Sequence, residues 1–229
     1  LYFNRCSPWG IPANIIVVPL TGFLVVPLGL LSSFLLFIAR PLAVATAEIM
    51  EVLLNLSNAT VKFFSTMPYA DCRTTTPTLL ELILYYAGLF LLFRSKRTVW
   101  SRYALGLVGA LFIINGGYWY YQGNLSPLFR ITSIDVGQGE ATLLQLPKGK
   151  TMLIDGGGSY DASFDIGAMV VAPLLWKKKI RRIDVVVLSH PHPDHLNGLV
   201  SVMKTFSIGE VWSNGESIET DSFKAFEDV

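Results

Sequence analysis

Charged residues are scarce in this sequence. Asp, Glu, Lys and Arg make up 15% of the 229 residues, whereas about 25% is usual in soluble domains. This deficit and the mean hydropathy of +0.47 exclude an ordinary soluble protein. The 52% hydrophobic content also excludes a disordered chain, which would lack the apolar residues needed for a core. The formal net charge of +1 gives no global reason to expect a polyanionic partner.

The few charges are unevenly distributed along the chain. Residues 1–124 hold 8 Lys/Arg and 4 Asp/Glu, whereas residues 125–229 hold 10 and 13. The contrast predicts two domains, a membrane-spanning domain over 1–124 and a soluble domain over 125–229. Because the chain begins at Leu1 rather than at methionine, we expect it to be a fragment of a longer protein.

Long uncharged segments dominate the first domain. Residues 11–39 carry no charge and exceed the roughly 20 apolar residues that a bilayer crossing needs. Pro19, Pro27 and Gly29 interrupt this run, which favours a broken or re-entrant helix, either as a structural kink or as a pore lining. The next stretch, residues 42–64, carries three charges, so we expect it to lie at the membrane interface or inside the helix bundle.

Two clearer spans follow, at residues 79–93 and 103–121. The segment between them, residues 94–102, contains four basic residues and no acidic one. Loops rich in Lys and Arg stay in the cytoplasm. The second span then leads outward, so the sequence predicts that residues 125–229 lie outside the cytoplasmic membrane.

Cysteine is nearly absent as well. Cys6 and Cys72 are the two cysteines of the sequence, and their separation argues against a metal-binding knuckle. On the predicted topology Cys72 is external, and a disulfide between the two residues stays open.

The second domain alternates short apolar strands with helical patterns. Strands are predicted at residues 129–136, 141–146, 151–154, 185–188 and about 209–212, and helices within 164–176 and 199–206. The uninterrupted Val/Leu run at 185–188 is typical of a strand buried on both faces. Strands with intervening helices predict an α/β or α+β layered domain.

Histidine is also rare, and its placement is informative. His190, His192 and His195 are the three histidines of the chain, and Asp194 stands beside them directly after the buried strand. Imidazole and carboxylate are ligands for zinc, iron and manganese. The spacing lets His190 and His192 bind one metal, and Asp194 and His195 a second. The alternative is a polar helix N-cap formed by Asp194 beside incidental histidines.

The stretch at residues 189–198 resembles the signature loop of the metallo-β-lactamase superfamily. Residues 134–141 and 152–157 resemble earlier motifs of one branch, the nuclease-like domain of the ComEC family of DNA-uptake (competence) proteins. Upstream, residues 14–20 and 26–29 are similar to the end of the ComEC membrane competence region. The resemblance implies a multi-domain fold, an α-helical transmembrane segment followed by a truncated α/β (αββα) metallo-β-lactamase fold.

This resemblance implies a function. ComEC proteins are implied to form the inner-membrane path for one strand of transforming DNA, while an external metal-dependent hydrolase domain degrades the other strand. The expected partners are therefore DNA, the lipid bilayer and other DNA-uptake proteins, and the expected location is the bacterial inner membrane. Two alternatives remain, a membrane-tethered hydrolase of another ester such as a thioester or lactam, and a non-catalytic DNA-binding transport component.

The resemblance also implies roles for particular residues. His190 and His192 match ligands of a first divalent metal, zinc or manganese, and Asp194 and His195 match ligands of a second. Asp194 also matches the carboxylate that orients or deprotonates the attacking water, while Asp155, and similarly Asp135, would support the metal loop. The chain departs from the family pattern at two positions. The family often has Asp at the position of Glu140, and many ComEC members have Asp at the position of His192.

The superfamily draws further ligands from loops well downstream, and no histidine follows His195 in this sequence. We therefore expect the 229-residue chain alone to be inactive as a nuclease. Two further sequence patterns, a basic run and a glycine run, each allow two interpretations. The basic run 177–182 is either a DNA-backbone contact or a solvated helix end, and glycines 156–158 form either a phosphate cradle or a turn beside the metal loop.

Overall fold

Apart from one short pair of strands, the described residues are helical or in turns up to residue 124, and the region after it is mixed α/β. The computed structural model describes residues 4–94, 98–158 and 164–228. This arrangement confirms the predicted fold class of an apolar helical region followed by a sheet-containing α/β region. The chain divides into two compact units, Leu1–Thr74 and Thr75–Val229, so the domain boundary predicted after residue 124 stays a prediction.

The first unit begins with a short antiparallel pair and one long helix. Strand β1 (Arg5–Cys6) pairs with β2 (Cys72–Arg73). Helix α1 (Gly10–Pro19), a π-helical segment (Leu20–Val25) and α2 (Val26–Leu35) form one continuous helix, Gly10–Leu35. The expected break in this run is therefore wrong. Pro19 has no N–H to donate, and a π turn accommodates the missing hydrogen bond without interrupting the helix.

Helix α3 (Arg40–Ser65) follows a short turn and packs against α2. The contact is close, because the buried Ser32 hydroxyl donates to the Ala43 carbonyl at 2.9 Å. Among the described residues, three helices are long and apolar enough to cross a membrane: Gly10–Leu35, Arg40–Ser65 and Val99–Asn124. By length and composition α3 is thus able to span, whereas its charges had predicted an interfacial or bundle-interior helix.

The second unit opens with helices α4 (Leu79–Arg94) and α5 (Val99–Asn124), which pack on each other. A capping box starts α4: the Thr78 hydroxyl accepts from the Glu81 amide at 3.2 Å, and the Glu81 carboxylate accepts from the Thr78 amide at 2.7 Å. Three residues of the predicted basic loop, 95–97, lie outside the described residues.

A five-stranded sheet forms the centre of the described α/β region. Its order is β3 (Arg130–Ser133), β4 (Thr142–Gln145), β5 (Thr151–Ile154), β6 (Arg182–Leu188) and β7 (Ser207–Ser213). Strands β3 to β5 pair antiparallel, whereas β5, β6 and β7 pair parallel. The carboxyl ends of β5 and β6 therefore meet at one edge of the sheet.

Helices cover one face of this sheet. They are α6 (Ala172–Lys177), which continues a π-helical segment at Gly167–Val171, then α7 (Pro193–Thr205) and the short α8 (Asp221–Glu227). Leu143, Leu153 and Val186 are fully buried on the covered face. Their neighbours Met152 and Val185 are only half-buried, so the burial of the sheet differs between its faces.

Candidate metal centre

The histidine loop lies at the carboxyl edge of the parallel strands. Strand β6 ends at Leu188 and α7 begins at Pro193, so residues 189–192 connect strand to helix. Pro193 suits the first helical position, where an N–H would have no partner. The His192 carbonyl accepts from the amides of His195 and Leu196 at 3.0 and 2.9 Å. The helix start thus holds the loop against the strand end.

The structure brings the imidazole rings of the three histidines together. The centroid of the His190 ring lies 4.8 Å from that of His192 and 4.0 Å from that of His195. The Nε2 atom of His195 is 3.7 Å from Asp194 Oδ2. In a tetrahedral zinc site two ligand atoms at about 2.1 Å from the ion are separated by roughly 3.4 Å. The spacing of these two atoms is therefore close to that of ligands sharing an ion.

The carboxylate of Asp155 contacts two residues of the histidine loop and its helix, Ser189 and His195. Asp155 directly follows β5, is 1% exposed and has a left-handed backbone with φ of 57°. Its carboxylate accepts from the Ser189 amide at 2.8 Å and the Ser189 hydroxyl at 2.7 Å, and lies 2.8 Å from Nδ1 of His195. An aspartate at Nδ1 favours a proton there and leaves the Nε2 lone pair for a metal. Asp155 thus orients His195 toward Asp194.

One carboxylate oxygen of Asp194 indicates whether a cation fits this site. This atom, Oδ1, is buried and has no hydrogen-bond partner among the described residues. An unpaired buried acceptor costs about 1–3 kcal/mol, and a carboxylate costs more because it is charged. A divalent cation bound by the Asp194 carboxylate would satisfy this oxygen. The donor set of imidazoles and a carboxylate therefore fits a metal.

Glu140, one of the two departures from the family pattern, lies close to the histidine loop. A ligand atom of Glu140 lies within 4.8 Å of ligand atoms of Asp155 and His195. The Glu140 carbonyl accepts from the Gly157 amide at 2.8 Å, which ties its loop to the strand end. Because both oxygens of Asp155 already accept hydrogen bonds, we favour Asp194 over Asp155 as the ligand beside His195.

Asp135 lies in a turn at the protein surface. It is exposed, and its Oδ1 atom accepts from the Gly137 amide at 3.3 Å within a turn. Its predicted support of the metal loop stays a prediction.

Close backbone packing seats the loops around the cluster. The Gly156 amide donates to the His195 carbonyl, and the Gly198 amide donates to the Gly157 carbonyl, at 2.8 and 2.9 Å. A Cβ atom on Gly139, whose φ is 90°, would overlap the Asp194 carbonyl. These contacts favour the reading of glycines 156–158 as a turn packed on α7 rather than a phosphate cradle.

A basic cleft lies at the other end of β6. It is a cavity of about 1160 Å³, and its cationic lining residues are Arg130, Lys148, Lys150, Lys177, Lys178, Lys179, Arg181 and Arg182. The aromatic residues Tyr118 and Trp119 of α5 also line it. Since β6 spans seven residues, the cleft and the histidine loop are roughly 20 Å apart along the strand.

Asp184 is a carboxylate within this cleft. Burial raises the pKa of Asp184, but hydrogen bonds from Lys150 Nζ at 2.8 Å and the Thr151 amide at 2.9 Å, with the charges of Lys150 and Arg182, outweigh it. The pKa therefore lies below its usual value. Asp184 stays ionised and neutralises part of the basic lining.

The comparisons with known proteins match both parts of the chain. The family described as "Competence protein" matches residues 1–98, and the "Metallo-beta-lactamase superfamily" matches residues 134–220. ComE operon protein 3 of Bacillus subtilis (strain 168) is 22% identical over 218 residues, which cover 89% of this chain and 27% of that protein.

Recombination protein 2 of Haemophilus influenzae is 27% identical over 100 residues, which cover 44% of this chain and 12% of that protein. The chain thus spans well under a third of the length of each relative. The two matched regions follow one another in the order that the sequence motifs had predicted.

Proposed function

Because the chain belongs to the ComEC family of competence proteins, we propose that it is part of an inner-membrane DNA-uptake channel with an external metal-dependent hydrolase domain. In this proposal one DNA strand is transported and the hydrolase degrades the other. The apolar helices and the family membership indicate a membrane protein. The metallo-β-lactamase domain indicates metal-dependent hydrolysis, and a phosphodiester as its substrate is the proposed part.

The metal centre is proposed at the histidine loop. His190 and His192 would hold one divalent ion, zinc or manganese, and Asp194 and His195 a second. Bound divalent ions supply Lewis acidity toward a phosphodiester and a nucleophile at neutral pH. The observation that carries this assignment is the carboxylate of Asp194, whose Oδ2 lies 3.7 Å from Nε2 of His195 and whose Oδ1 is buried and has no hydrogen-bond partner among the described residues.

The side chains around this centre would orient the imidazole ligands and the attacking water. Asp155 holds the proton on Nδ1 of His195 and fixes the ring orientation. Asp194 is placed to orient the attacking water and to accept its proton through a carboxylate oxygen. The Ser189 hydroxyl, which donates to Asp155 and lies 2.9 Å from Nδ1 of His190, positions a second imidazole.

The basic cleft supports nucleic acid as the partner. Phosphate contacts dominate non-specific affinity for nucleic acids, and eight cationic residues line this cleft. Its separation from the histidine loop means that a strand held there would extend along the domain before reaching the metal centre. The cleft also favours the second candidate, a transport component that binds DNA without cleaving it.

One pair of measurements tests the proposal in the full-length protein purified from membranes. Metal content is measured by elemental analysis and DNA hydrolysis by release of labelled nucleotides, for wild type, His190→Ala and His195→Ala. We expect each variant to lose most bound metal and nearly all hydrolysis, because an incomplete ligand set no longer holds the ion.

Lys204→Ala, on the same helix as His195 but exposed, is the matched control and should retain both. Equal metal content and equal hydrolysis in wild type and His195→Ala would contradict the hydrolase. DNA binding by a wild-type protein that holds no metal and cleaves nothing would favour the transport component.

A further inference from the structure

The two cysteines of the sequence lie opposite each other in the first unit. In the antiparallel pair of β1 and β2, Cys6 is the register partner of Cys72 and Arg5 that of Arg73. The two strands lie at the ends of the segment that contains the helix Gly10–Leu35 and α3. The fold thus brings together two thiols that are distant in sequence.

Several polar contacts fix this register. The Thr74 amide donates to the Asn4 carbonyl at 2.8 Å, and the Asn4 side-chain amide donates to the Thr74 carbonyl at 3.0 Å. Arg5 donates to both carboxylate oxygens of Asp71, at 3.0 and 2.6 Å. The Trp9 indole also donates to the Pro68 carbonyl at 2.7 Å. Contacts on both sides of the cysteine pair therefore oppose a slip of the strands.

The geometry of such a pair suits a disulfide. Directly opposed residues of antiparallel strands have Cα atoms about 4.5 or 5.5 Å apart, and disulfides join Cα atoms separated by about 4.4–6.8 Å. Opposed residues also project on the same face of the pair. Cys6 is exposed and Cys72 half-buried, and both are free thiols in the structure. An oxidant can therefore reach the pair.

We propose that Cys6 and Cys72 form a disulfide that closes the first unit covalently. One thiolate attacks the disulfide bond of an oxidised dithiol donor, which forms a mixed disulfide and releases one donor thiol. The second cysteine thiolate attacks the protein sulfur of the mixed disulfide and releases the second donor thiol. The two cysteines lose two protons and two electrons, and the donor disulfide takes up both. The bond joins the segment before α1 to the segment after α3.

Its formation in cells rests on the proposed topology. If Gly10–Leu35 and α3 both cross the membrane, β1 and β2 lie on the same side. The proposed placement of residues 125–229 makes that side external, where disulfides persist. The register itself does not depend on this placement, so the two are tested separately.

The first experiment uses the 229-residue chain, purified in detergent and fully reduced. It is equilibrated with oxidised and reduced glutathione, quenched with acid and alkylated with a maleimide polymer before and after reduction. We expect the wild type to accept no polymer before reduction and two after it, with a linked peptide pair containing Cys6 and Cys72. Two free thiols at every glutathione ratio would overturn the proposal.

A register-shifted variant is the matched control. Cys6→Ser combined with Ser7→Cys keeps two cysteines but moves one thiol to the opposite face of the strand, and we expect linkage to fall at least tenfold. Equal linkage in this variant would overturn the proposal, because random collision rather than strand pairing would then join the thiols.

The second experiment repeats the alkylation on membranes quenched with acid directly after growth. A linked wild type there supports both the disulfide and the external placement. Linkage in the purified chain together with free thiols in the membranes supports the pairing and counts against the external placement.

Discussion

A single buried carboxylate, Asp155, connects the strand end to the candidate metal ligands. It accepts two hydrogen bonds from Ser189 and lies 2.8 Å from Nδ1 of His195. We expect Asp155→Ala to lower metal affinity or hydrolysis by about 10–100-fold, because the loss of an orienting partner leaves the ligands themselves in place. Asp155→Asn should give a smaller loss in metal affinity, since it keeps the size of the side chain.

Metal titration by calorimetry measures this in the full-length protein, with Glu216→Ala in an exposed turn as the comparison. If Asp155→Ala binds metal as tightly as the wild type, the orienting role is wrong.

Asp184 gives a pH-dependent contribution to stability. Its pKa is lowered in the folded protein, against burial, by Lys150, Thr151 and Arg182. Such a group stabilises the fold fully above its unfolded pKa, and the stabilisation is lost as the pH falls through the lower folded pKa. We therefore expect Asp184→Asn to destabilise the protein by about 1 kcal/mol at pH 7 and by much less at strongly acidic pH.

Denaturant unfolding of the chain in detergent, at neutral and acidic pH, checks this expectation, with Glu219→Gln at an exposed site as a matched charge removal. A loss for Asp184→Asn that is the same at both pH values would show that the charge is not the cause.

At the scale of elements, the lysines and arginines of the basic cleft other than Arg130 come from two stretches: the loop before β5, and the chain from the end of α6 to the start of β6. We expect the triple change of Lys177, Lys178 and Arg181 to Gln to weaken binding to single-stranded DNA. Each lost phosphate contact should reduce the slope of log affinity against log salt by roughly 0.7. The matched control replaces Lys204 and Lys224, which lie on α7 and α8, with Gln.

Fluorescence anisotropy with a labelled oligonucleotide over a range of salt concentrations gives both slopes. An unchanged slope in the cleft variant would favour the other reading of residues 177–182, a solvated helix end.

The sequence predicted those elements whose signal is local. Strand β5 was predicted with its observed bounds, and β6 was found through its apolar run although it begins earlier, at Arg182. The broken or re-entrant helix expected within residues 11–39 was wrong, because the chain passes Pro19 through a π-helical segment and stays helical to Leu35. Helix α8 was missed, since seven residues give too little periodicity to detect.

Contacts between distant residues could not be predicted in the same way. The histidine cluster was accessible because its members are neighbours in sequence, whereas the proximity of Glu140 to Asp155 and His195 depends on how two loops pack. The same limit applies to the ion pair of Glu81 on α4 with Lys179 after α6, at 2.7 Å and largely shielded from solvent. No periodicity or motif marks either pair in the sequence.

At the scale of the whole molecule, the orientation in the membrane decides which compartment holds the hydrolase. The basic residues within 94–102 favour a cytoplasmic position for that segment. Helix α5, with 26 residues, is about 39 Å long, which is enough to carry the chain across the hydrocarbon core. Aromatic residues 118–121 near its end suit the opposite interface.

We therefore expect a reporter fused after residue 97 to be active as a cytoplasmic reporter and one fused after residue 150 as an external reporter. Alkaline phosphatase, active outside, and a fluorescent protein that folds only inside give opposite readouts at each site. Replacing the four basic residues of 94–102 with Gln should weaken this preference, because the positive charge sets the orientation. A fusion after residue 150 that is active only with the cytoplasmic reporter would contradict the external placement of the hydrolase and, with it, the degradation of DNA before uptake.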